Sequence, residues 1–150
     1  MFKPLITIIL LSFVAGCKSS KPESTYKQLD FVAFTIQVPS GWEKIARRGI
    51  DSYAGAIKID LKDTLHFDLG MYSNTLSNQN NSSTTWEEID GFEAKIVRPK
   101  NGSKGIIGVY IDSLSGKGLN RNRFNLYGRN LSRTNQKEFL RSISTLKFKK

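Results

Sequence analysis

The sequence predicts an α+β fold in which an antiparallel β-sheet is covered by a C-terminal helix. Three observations carry that prediction: apolar and polar residues alternate in short runs, turn residues separate the runs, and the period lengthens to a helical one only near the C-terminus. Residues 31–38 (FVAFTIQV) form the first alternating run, with Val32, Phe34, Ile36 and Val38 on one face. Pro39-Ser40-Gly41 turns the chain, because proline presets φ and glycine closes the turn. Trp42 follows as a core aromatic, and residues 52–59 read as the second strand. The third is the cleanest, with Leu65, Phe67, Leu69 and Met71 on one face and His66, Asp68 and Tyr72 on the other.

Residues 74–85 (NTLSNQNNSSTT) are polar and of low complexity, and read as a mobile loop. Residues 92–97 and 106–114 are further strands, separated by the turn Pro99-Lys100-Asn101-Gly102, and residues 124–131 are another. Asn135 followed by Glu138 matches a capping box, with Asn135 as N-cap. Phe139, Leu140, Ile143 and Leu146 then lie along one helical stripe.

The N-terminus supplies an address. Lys3 precedes an apolar stretch from Leu5 to Ala15, broken only by Thr7 and Ser12. Eleven helical residues at ~1.5 Å each fall well short of ~30 Å of hydrocarbon, so the stretch reads as a secretory signal. The expected organisation is a signal at 1–16, a flexible tether at 17–28 (the polar run from Lys18 to Lys27), and one domain from 29 to 150. Cys17 is the chain's single cysteine, so no disulfide can form and stability has to come from a packed core.

Charge is segregated along the chain. Of the 23 Lys and Arg, 12 lie between Cys17 and Gly116, where 12 Asp and Glu cancel them. Residues 117–150 hold ten Lys and Arg against Glu138 alone, which is +9 in 34 residues. Within that segment, alternation puts Arg121, Arg123, Asn125, Tyr127 and Arg129 on one strand face. Guanidinium groups bind phosphates and carboxylates through paired hydrogen bonds, so Arg121, Arg123, Tyr127 and Arg129 form a candidate anion-binding face. Its candidate partners are anionic lipid, polysaccharide or an acidic protein. An envelope address removes nucleic acid from that set.

His66 and Asp68, two apart on one strand face, are a pair suited to acid–base or metal chemistry. With one histidine in the chain and its cysteine at the signal end, they are the less favoured reading. A non-enzymatic monomer without cofactor is the expectation.

Val14-Ala15-Gly16-Cys17 resembles the bacterial lipoprotein box: an aliphatic residue, two small ones, then cysteine. The resemblance implies a diacylglycerol (palmitate-type chains) on the Cys17 sulfur, cleavage after Gly16, and a membrane anchor. Lys18 stands where some bacteria place an inner-membrane-retaining Asp, which points to the outer membrane. "FTIQVPSGW" and "NQKEFLRSISTLKF" are similar to the bracketing elements of the PsbP/DcrB-like lipoproteins. That likeness implies a small α/β sandwich and an accessory role in the envelope, and carries over no functional residue besides Cys17.

Overall fold

The computed structural model describes residues 26–46, 51–77, 81–102, 104–115 and 122–149. Cys17, the signal, and Arg121 lie outside them. The described chain is α+β: ten strands, mostly in one large antiparallel sheet, and a single α-helix near the C-terminus. Strands β1 (Tyr26–Asp30), β2 (Phe34–Pro39) and β10 (Lys147–Phe148) make a three-stranded sheet in the order β1-β2-β10. The seven-stranded sheet contains β3 (Glu43–Ala46), β4 (Tyr53–Lys58), β5 (Thr64–Gly70), β6 (Ser82–Ile89), β7 (Phe92–Pro99), β8 (Ile106–Ser115) and β9 (Asn122–Arg129). Its order is β3-β4-β5-β9-β8-β7-β6, and every recorded pairing is antiparallel. Helix α1 spans Arg133–Ile143.

The alternation in β2 is fully used. Phe34, Ile36 and Val38 are completely buried, in one core with Leu65 and Phe67 of β5, Phe124 and Leu126 of β9, and Phe139 and Ile143 of α1. Phe34 sits at its centre, edge-on to Phe67 at 5.1 Å and to Phe124 at 5.1 Å, and stacked on Phe31 at 4.6 Å. So β2 and α1 pack against one face of the large sheet.

Several boundaries differ from the sequence expectation. Tyr26, Lys27 and Gln28, expected in the tether, are strand residues paired with Pro39, Val38 and Gln37. Residues 31–33 form the β1–β2 connection, which leaves Val32 78% exposed and outside the core face assigned to it. Met71 and Tyr72 lie beyond the end of β5. Short strands β3 and β10 carry no period long enough to read from sequence.

The largest correction concerns the polar stretch. Its last residues belong to β6, an edge strand whose side chains from Ser83 to Glu88 are all exposed. An edge strand with water on both faces needs no apolar alternation, so hydropathy cannot reveal it. The signal that does is Asp90-Gly91, both with positive φ (53° and 82°), the dipeptide that favours a two-residue hairpin turn. Asp90 also holds β10 in place: its carboxylate accepts from Phe148 N at 2.7 Å and pairs with Lys147 Nζ at 2.9 Å.

The helix starts earlier than expected. Ser132 is the N-cap, its hydroxyl accepting from Asn135 N at 3.2 Å. Asn135 sits three residues further on, and its amide is used elsewhere, donating to Asp60 Oδ2 at 2.8 Å and Asp63 Oδ2 at 2.6 Å. Asp63 Oδ2 also accepts from Ser132 N at 2.9 Å. The β4–β5 turn thus presents two carboxylates to the start of α1, where orphan N–H groups and the helix dipole favour negative charge.

Two predictions follow from this packing. Phe34→Ala is expected to cost about 3–5 kcal/mol, read as a shift of the denaturant midpoint; a change below about 1 kcal/mol would remove Phe34 from the centre of the core. Asp60 is held below its ordinary value of 3.8, first by the backbone N–H of Asp63, then by that of Lys62 and by Asn135. A carboxylate lowered in the fold stabilises it above the unfolded pKa, and that contribution is lost as pH falls through the lower folded value. The thermal midpoint is therefore expected to fall below about pH 4, and Asp60→Asn to lessen that fall; an identical profile in the variant would contradict the docking role.

Candidate functional site

The second face of the large sheet carries the polar chemistry. Alternation along β5 sends His66 and Asp68 to this face, opposite to Leu65 and Phe67. The β5–β9 register sets His66 beside Tyr127 and Asp68 beside Asn125, so the four side chains form a square on adjacent strands. The His66 and Tyr127 rings are 5.9 Å apart at 42°. On β4, Ala54 lies opposite Asp68. Its methyl leaves room, and a hollow of about 260 Å³ opens there, lined by His66, Asp68, Asn74, Asn125 and Tyr127 along with Ala54.

One wall of the hollow is a strap at residues 73–77. Asn74 Oδ1 accepts from Leu76 N at 2.8 Å, a tight local turn that puts Leu76 at φ 52°. The Leu76 side chain then fills the notch above Gly108, where an added Cβ would lie 2.6 Å from Leu76 Cδ1 and 2.8 Å from Tyr127 Cβ. Leu76, Val97, Ile106 and Tyr110 make a small second core, with Tyr127 packed against it. Asn74 O accepts from Asn125 Nδ2 at 3.0 Å, which ties the strap to β9. This strap falls in the stretch expected to be a polar loop. A single leucine inside an otherwise polar run is the signal that marks it.

The basic face expected on β9 is used differently. Arg123, Tyr127 and Arg129 do share the face. However, Arg123 Nε pairs with Asp112 Oδ1 at 3.2 Å, and its Nη1 donates to Met71 O at 3.0 Å. Arg129 lies over the Tyr127 ring at 5.8 Å and is exposed. Asn125 is only 1% exposed and belongs to the floor of the hollow. Nearby, Tyr110 donates to Asp112 Oδ1 at 2.6 Å, and Lys95 lies over the Tyr110 ring at 5.2 Å, burial lowering its pKa. The cations of this face are therefore engaged by a carboxylate, a carbonyl or a ring.

Exposed cations line up instead on α1. Arg133, Lys137 and Arg141 are exposed at i, i+4 and i+8, one stripe opposite buried Phe139 and Ile143. Arg133 and Lys137 border a second hollow of about 360 Å³ with Arg98. Arg141 lies over the Tyr26 ring at 4.4 Å, and the Tyr26 hydroxyl donates to Glu138. The first strand thus enters the fold beside this stripe.

A larger hollow, about 670 Å³, lies among Leu69, Phe92, Leu114 and Phe148 with Asp90 and Lys149. Its rim includes Ser115 and Asn122, between which the described chain is interrupted. Among the described residues, no group of three or more His, Cys, Asp or Glu is placed to hold a metal ion. No helix among them is long and apolar enough to cross a membrane. Comparison with protein-family models, with curated proteins and with solved structures finds no match.

Proposed function

We propose that this chain is a lipid-anchored bacterial envelope protein whose single domain is a non-enzymatic interaction module of PsbP/DcrB-like sandwich type. The observation that carries the reading is Val14-Ala15-Gly16-Cys17 directly after an apolar signal-like stretch. Two acyl chains, at ~0.8 kcal/mol per buried methylene, anchor a protein stably where one chain does not. Lys18 favours the outer membrane as the site.

The same reading orients the domain. Eight residues, 18–25, separate Cys17 from the first strand, and a fully extended chain of that length reaches at most about 30 Å. That strand begins against Glu138 and Arg141 of α1. The stripe Arg133–Lys137–Arg141, about 12 Å long, therefore lies within reach of the headgroups. Each cation near an anionic surface adds about 1 kcal/mol. The anionic partner expected from the sequence is assigned here to α1 and the membrane's own lipids, because Arg123 is already paired with Asp112.

Two measurements test these two statements separately. Cys17→Ala is expected to abolish acyl labelling and leave the precursor unprocessed; normal maturation of that variant would end the lipoprotein reading. In vesicles carrying the lipidated chain, Lys137 is expected to react several-fold more slowly with an amine reagent on anionic than on neutral lipid. The difference should vanish near 1 M salt, where the Debye length is about 3 Å. Equal reactivity on both lipids would overturn the orientation while leaving the anchor intact.

A further inference from the structure

We infer that the hollow between β5 and β9 is a binding site for a small ligand bearing a protonated primary amine. The inference starts from Asn125, which is 1% exposed and whose amide orientation is set by its bond from Nδ2 to Asn74 O. The opposite atom, Oδ1, is buried and has no hydrogen-bond partner. Asp68, its cross-strand neighbour, also has a buried carboxylate oxygen, Oδ1, with no partner. Both residues line the same hollow. Side chains directly opposite on antiparallel strands have Cβ atoms about 4.5–5.5 Å apart, so one donor group can reach both.

Two buried acceptors side by side, one of them part of a carboxylate, are costly unless a donor meets them. Several neighbouring donors are committed elsewhere: Asn125 Nδ2 to Asn74, Arg123 to Asp112 and Met71 O, and Tyr110 to Asp112. Among the described residues neither oxygen meets a donor, and a ligand entering the hollow can supply one. An ammonium group fits best, since it carries three N–H donors and a charge opposite to Asp68, whereas a hydroxyl donates once. The Tyr127 ring along the same hollow adds an electron-rich face that attracts a cation. At about 260 Å³ the hollow has room for an aminomethyl group or one amino-sugar unit.

Nothing in this inference depends on lipidation, and its test reads a different signal. The full-length chain, 15N-labelled and held in detergent, is titrated with methylammonium, tetramethylammonium, glucosamine and glucose. Methylammonium and glucosamine are expected to shift the Asn125 side-chain amide and the His66 ring resonances. Tetramethylammonium, a cation without N–H, and glucose, a hydroxyl-only analogue, are expected to leave them in place. Asp68→Asn keeps the shape but removes the charge, and should weaken methylammonium binding about tenfold or more without lowering the thermal midpoint. Equal shifts with tetramethylammonium would reduce the effect to bulk charge, and equal shifts with glucose would make the site a hydroxyl reader. Either result, unchanged binding in the Asp68→Asn chain, or silence with both amines would overturn the proposal. The probe comparison needs no variant, so it stands even if the substituted chain fails to fold.

Discussion

Phe34, Ile36 and Val38 project from β2 into the face of the seven-stranded sheet, and most of the domain is positioned by that seam. β2 is the middle strand of the small sheet, so the register of β1 and of β10 follows from it. α1 lies against the same strand, with Thr145 Oγ1 accepting from Gln37 N at 2.9 Å just past the helix end. A strand of six residues thus joins β1 and β10 to the main sheet. Removing its apolar face would release the small sheet, whose other two strands pair with β2.

The seam buries one face of the large sheet and leaves the other to be finished by local devices. A short strap, seated by Leu76 over Gly108, closes part of it, and ring and ion-pair contacts engage the cations that remain. What is left over is acceptor chemistry at Asp68 and Asn125. A run of arginines reads as anion-seeking when its partners are unknown, but the acidic partner of Arg123, Asp112, arrives from β8. The domain therefore presents two different surfaces: an exposed basic stripe on α1 beside the chain's entry, and a small acceptor-lined hollow on the second face of the sheet.

Most of the strand cores and the helix were legible from sequence because burial repeats on a local period. Leu65 and Phe67, Phe124 and Leu126, and Phe139 and Ile143 announce their faces within a few residues. The proposed lipid-anchor motif, Val14 to Cys17, is likewise local in sequence. Charge placement was not legible. The +9 of the last 34 residues appears segregated along the chain, yet Lys149 meets Asp30, Lys147 meets Asp90 and Arg123 meets Asp112. Each of those pairs joins segments far apart in sequence that only the tertiary fold brings together.

By itself, then, the sequence determined the α+β class, the apolar faces of the central strands and the presence of a closing helix. Tertiary structure decided which residue caps that helix, since Asp63 arrives from the β4–β5 turn to take Ser132 N and Asn135 Nδ2. It also decided that β6 is a strand at all, because an exposed edge is held by backbone bonds to β7 and not by side-chain burial. Asn125 shows the reason most directly. Alternation assigned it to the second face correctly, but its burial comes from Asn74, 51 residues earlier in the chain. Hydropathy records which way a side chain points, whereas what waits there is set by contacts between segments far apart in sequence.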